Sequence, residues 1–172
     1  MTTPFTAAEI RTAVEALTSR SLIRLITEID DNGAIPPRRL ATTLPDLSTH
    51  HLRAATETAR THGLVRTAPG VGLELTPCGE ELADVYDAAA RWSRRHACPA
   101  SVCEFTHRVR HVLDLLAPET SGESTQGPAC PSAAHRPGAT PEAELDGPRA
   151  LLLQWLVENP QLTCLSTSEP LA

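Results

Sequence analysis

Apolar positions recur at three- and four-residue spacing through most of residues 1–117. Ile10, Val14 and Leu17 mark one face of a first helix, with Thr6 where an N-cap belongs. Leu22, Ile23, Leu25, Ile26 and Ile29 form a second run, closed by the polar stretch Asp30 to Gly33. Residues 36–44 read as one short helix with prolines in its first turn, and Pro45-Asp46-Leu47 as a turn. Ser48 is a strong N-cap for a helix reaching His62, with Gly63 at the C′ position. The period then drops to two. Residues 64–67 and 73–76 predict two strands joined at 68–72, and Pro77 and Gly79 are expected to close this hairpin. Leu82, Val85, Tyr86, Ala89 and Trp92 mark the next helix. Val102, Phe105, Val109, Val112, Leu113 and Leu116 mark another over residues 100–117.

The pattern breaks after residue 117. Between Pro118 and Pro148, 16 of 31 residues are Pro, Gly, Ser or Thr, and Leu145 is the sole large apolar side chain. Such a stretch cannot bury enough surface to offset its ordering entropy, so 118–147 reads as a flexible linker. Residues 148–158 then read as a short helix, with Asp146 or Gly147 as cap, Pro148 in the first turn and Pro160 as terminator. Its apolar residues cover most of the circumference, so it is expected to dock on the first domain or on a partner chain. Residues 148–172 are thus a helix and tail, not a second domain.

The order of elements is helix, helix, short helix, turn, helix, hairpin, helix, helix. This mainly α fold class with a small β-hairpin is the arrangement of a winged helix-turn-helix domain over 1–117. In such a domain the helix after the tight turn enters the major groove and its first residues meet base edges. That helix here is 48–62. Arg53 has the planar fork that pairs with guanine. Ser48 and Thr49 suit phosphate contact at a helix N-terminus. His50, Thr56, Glu57 and Arg60 are expected to point outward, and Leu52, Ala55 and Ala59 inward. Arg38 and Arg39 on the preceding helix and Arg66 on the hairpin complete the candidate DNA-binding set.

Charge first argues against this reading and then for it. The chain has 172 residues and a net charge of −6, which is unpromising for nucleic acid. Every one of its 15 basic residues is Arg. Residues 1–117 are near neutral at −1, and residues 118–172 carry −5. Residues 34–67 carry +3 with three histidines besides, and a local basic patch is what phosphates respond to. The acidic tail is expected to oppose DNA contact, so that deleting 118–172 tightens non-specific binding.

The segments Leu44-Pro45-Asp46-Leu47-Ser48, His62-Gly63-Leu64-Val65-Arg66 and Leu73-Glu74-Leu75-Thr76-Pro77-Cys78-Gly79, with Leu82 through Trp92, resemble the HxlR-type winged helix-turn-helix regulators. The MarR-type regulators are the broader relatives. The resemblance runs from about Ala16 to His96. It implies a homodimeric transcriptional regulator that binds double-stranded DNA, a repressor by family habit, and leaves the operator and any small-molecule effector open. It assigns dimerisation to residues 7–17 and 100–117. The chain departs from the family pattern at Thr18-Ser19-Arg20-Ser21, at Pro36-Pro37 and in its short wing, which is expected to make no deep minor-groove contact.

Other chemistries are weaker. Cys103, His107 and His111 fall one turn apart on one helix face and form a candidate metal site, which leaves open a metal-responsive regulator. A solvated polar stripe has the same spacing. Five scattered cysteines imply no disulfide framework, which fits a reduced cytoplasmic setting. No membrane span, no cofactor motif and no catalytic motif stands out, so enzymatic activity is not expected. A winged-helix protein-interaction module without DNA binding is the alternative from another class.

Overall fold

The computed structural model describes residues 5–96, 104–117 and 145–162. Helix α1 spans Ala7–Leu17, and its start is fixed by a reciprocal cap. Thr6 Oγ1 accepts from the Glu9 backbone N–H at 3.3 Å, and the Thr6 backbone N–H donates to Glu9 Oε2 at 2.6 Å. Two N–H groups that helix geometry would orphan are thereby satisfied.

Helix α2 spans Arg20–Asn32 and is the most one-sided of the set. Its Leu22, Ile23, Leu25, Ile26 and Ile29 are all buried. A 3₁₀ turn, Pro37–Arg39, runs into the single-turn helix α3, Leu40–Thr43. The one short helix expected over 36–44 is therefore two pieces: Pro36, held extended ahead of a second proline, starts no α-helical turn, and Arg39 donates back to its carbonyl at 2.8 Å in a 3₁₀ bond. Helix α4 spans Thr49–Thr61 and is capped by Ser48, whose Oγ accepts from the His51 N–H at 3.3 Å. Gly63 follows with φ +67°, the left-handed C′ geometry.

Strands β1 (Val65–Ala68) and β2 (Gly72–Leu75) form an antiparallel hairpin in which Arg66 faces Glu74. Ile35 adds a short bridge alongside, exchanging two 2.9 Å hydrogen bonds with Leu73. Gly72, at φ +134°, allows that approach. A Cβ there would sit 2.6 Å from the Ile35 carbonyl oxygen.

Helix α5 spans Pro77–His96 and packs on α2, β2 and both helices that follow. Pro77 and Gly79 thus open a helix instead of closing the hairpin. Pro77 suits a first turn, where a missing N–H costs nothing. Thr76 makes the junction: its Oγ1 donates to the Gly63 carbonyl at 2.6 Å and accepts from the Gly79 N–H at 3.2 Å. At the centre of α5 the fully buried Tyr86 donates its hydroxyl to the Leu17 carbonyl at 2.9 Å. It thereby satisfies one of the carbonyls that α1 leaves open at its end.

Helix α6 spans Phe105–Leu116. It packs on α5, on α2 and on α1, so the two helices that the resemblance assigns to dimerisation touch one another within the chain. Helix α7 spans Asp146–Glu158, followed by a 3₁₀ turn, Pro160–Leu162. It begins two residues earlier than expected. Leu145 takes the cap position without a side-chain hydrogen bond, so neither Asp146 nor Gly147 is the cap. Helix α7 docks on α5: Leu152, Trp155, Leu156 and Leu162 are buried in the common core. The expected linker 118–147 lies outside the described residues except for its last three, of which Leu145 packs on that core. No described helix is long and apolar enough to cross a membrane.

Candidate nucleic-acid interface

Helix α4 divides its residues by side. Leu52, Ala55 and Ala59 are buried, as their spacing predicts. Thr49, His50, Arg53, Glu57 and Arg60 are exposed, and Ser48 is exposed just before them. Arg38 and Arg39 are exposed on the 3₁₀ turn. Between the 3₁₀ turn with α3 and the outer side of α4 lies an open groove of about 670 Å³. Pro37, Leu40 and Leu52 give it apolar lining, and Arg53, Glu57 and Arg60 contribute charged groups.

Thr56 departs from the expectation that it points outward. It is 8% exposed, and its hydroxyl donates to the Leu52 carbonyl at 2.7 Å. Both its surface and its donor are used inside the helix. Arg60 is exposed as expected, but its Nη2 donates to Thr67 Oγ1 at 3.2 Å and ties the end of α4 to β1. Arg66 is exposed and paired: its Nε lies 2.6 Å from Glu74 Oε1.

The turn that aims α4 is held from two directions. Leu44 and Leu47 are buried beneath it. At its tip Asp46 accepts from Arg24 Nε and Nη2 at 3.3 and 3.4 Å, with Arg20 Nη2 at 3.6 Å. Partial burial raises the Asp46 carboxyl. Its hydrogen bond to Arg24, the Arg24 charge, a backbone N–H and the Arg20 charge outweigh that and hold it below the ordinary 3.8. The unfolded chain binds the more protons in this window, so stability rises with pH there. The contribution is complete above pH 3.8 and is lost as pH falls through the lower folded value. Asp46→Asn is therefore expected to flatten the acid limb of a plot of urea midpoint against pH. An acid limb identical to wild type would show that this clamp contributes nothing.

Negative charge gathers on other elements. Asp30 at the end of α2 is raised by burial and then by repulsion from Asp31 and from Asp84, Asp87 and Glu80 on α5. His107 and His111 are exposed on α6, and Cys103 lies outside the described residues. Among the described residues, no three ligand-type side chains gather as a metal site would require. Cys78 is half-buried, and burial, aided by Glu81, pushes its thiol up to about 11. Such a thiol carries little thiolate at neutral pH and is a poor nucleophile.

Sequence reasoning missed three partners: Arg24 for Asp46, Thr67 for Arg60 and Glu74 for Arg66. The last was available in principle, since a hairpin register pairing 66 with 74 sets opposite charges face to face. The first joins residues 22 apart with no local signal. No family model, curated protein or solved structure matches this chain.

Proposed function

We propose that this chain is a DNA-binding transcriptional regulator, built as a winged helix-turn-helix, with α4 as its reading helix. One observation carries the proposal. A capped helix, aimed by an anchored tight turn, keeps its apolar side in the core and turns Thr49, His50 and Arg53 outward beside the exposed Arg38 and Arg39. The major groove admits a helix in this posture. Ser48 and Thr49 at the N-terminus of α4 meet phosphate, where helix N–H groups and the dipole favour an anion. Arg53, one turn in, offers its fork to guanine. The resemblance to HxlR-type regulators supports a homodimer and repression. Two copies of α4 would then read half-sites about 34–36 Å apart.

Selection of bound fragments from genomic DNA at two salt concentrations tests this. The expected result is sequence-specific enrichment that weakens steeply with salt. No enrichment at low salt sinks the proposal. Arg53→Ala is expected to cost ~1–3 kcal/mol of binding and to relax preference at one base position. Uniform weakening on all sequences would make Arg53 a phosphate contact instead.

A further inference from the structure

We infer that Glu74 withholds the hairpin arginine from nucleic acid, so that the wing adds no net positive charge to the interface. The inference rests on the DNA-binding reading above and concerns how that site is limited. Arg66 and Glu74 are the only charged residues between 64 and 76, and they stand directly opposite each other across β1 and β2. Their contact, Nε donating to Oε1 at 2.6 Å, is a charge-assisted hydrogen bond. The Arg66 side chain is 67% exposed, within reach of a phosphate, while Glu74 is 26% exposed and set further into the protein. The hairpin tip offers no substitute. Pro69, Gly70 and Val71 carry no cation, and Val71 is 54% exposed. The neighbouring Thr67 hydroxyl accepts from Arg60 and carries no charge. A phosphate that recruited Arg66 would have to displace a carboxylate already in place. Charged recognition is thereby left to the 3₁₀ turn and α4: Arg38, Arg39, Arg53 and Arg60.

The test is the salt dependence of full-chain binding to a random-sequence DNA duplex. Glu74→Gln keeps an oxygen for Arg66 to donate to and removes the charge. It is expected to steepen the slope of log K against log salt by about 0.9, one extra phosphate. Affinity lost between about 50 and 200 mM salt should then grow about 3.5-fold beyond wild type. Arg66→Ala added to Glu74→Gln should return the slope to wild type. Asp84→Asn, which removes one carboxylate from α5, should leave it unchanged. A cross-strand pair with a structural role alone would alter melting and not this slope. Glu74→Thr, a better strand former, guards against loss of the hairpin and should steepen the slope equally. Wild-type slope in both Glu74 variants overturns the inference while the DNA-binding reading stands. So does a slope reduced by about 0.9 in Arg66→Ala alone, since Arg66 would then already hold a phosphate. Absence of duplex binding by wild type and variants alike at low salt overturns both.

Discussion

Trp155→Ala is expected to destabilise the protein by about 3–5 kcal/mol, the range for removing a buried Trp. The residue lies far along the chain, beyond a stretch rich in Pro, Gly, Ser and Thr, and by position alone would be dispensable. Its surroundings say otherwise. Trp155 is 2% exposed, and its Nε1 donates to the Cys78 carbonyl at 3.0 Å in the first turn of α5. Leu152, Leu156 and Leu162 are buried with it in the same core as Tyr86 and Leu82. Truncation to Ala removes the ring's contacts and leaves a cavity that α7 cannot close without shifting along α5. Trp155→Phe keeps most of the apolar area and loses the N–H, so it should cost roughly 1 kcal/mol from the hydrogen bond plus a smaller packing loss. Urea unfolding of both variants measures the difference. A midpoint for Trp155→Ala within error of wild type would show that α7 is an appendage and not part of the core.

The same burial changes what a tail deletion means. Removing 118–172 takes away the acidic stretch and also strips Leu152, Trp155, Leu156 and Leu162 from the core. A change in DNA affinity after that deletion would mix charge with stability. Replacing Glu119, Glu123, Glu142 and Glu144 by Gln leaves α7 intact and tests the charge alone.

Helix α4 was legible in the sequence because its signals are local. Ser48, Gly63 and the spacing of Leu52, Ala55 and Ala59 each act within a turn or two, and all three sit in the structure where the pattern puts them. The cap at Thr6 has the same origin. The divided helix over 36–44 was misread because prolines suit a first turn whether the bonds that follow it are α or 3₁₀. Thr56 was misread because its spacing leaves it at the border of the buried side, and a threonine there can turn its hydroxyl back to the carbonyl four residues earlier. What no local pattern holds are the contacts between distant segments: Asp46 with Arg24, Trp155 with Cys78, Tyr86 with Leu17. Those contacts fix the angle at which α4 is presented and what α7 covers. Periodicity identifies which face of a helix is buried but not what it meets.

Gly79→Ala is the second change expected to be severe, roughly 3 kcal/mol or more, at the upper end of the overpacking range. Gly79 has no positive φ to defend; the constraint is space. A Cβ there would collide with the Leu64 carbonyl oxygen and lie 3.2 Å from Leu75 Cδ2. The leucine side chain can rotate away, but the carbonyl is backbone. It is held besides by the Thr76 N–H, which donates to it at 3.0 Å. Thr76 is in turn tied to the Gly63 carbonyl at the end of α4. Relief therefore requires the start of α5 to move away from the junction between α4 and β1. That breaks the bonds that set α4 and the hairpin on their common support. On the proposed DNA-binding reading, duplex affinity should fall along with the urea midpoint, although Gly79 is buried. Gly147→Ala is the matched control, since nothing lies within 4 Å of a Cβ at that position in α7. Ala is also the better helix former, so this variant should hold or slightly raise stability. Equal midpoints for the two glycine variants would mean that α5 and Leu64 are not in the close contact that ties the hairpin to α4.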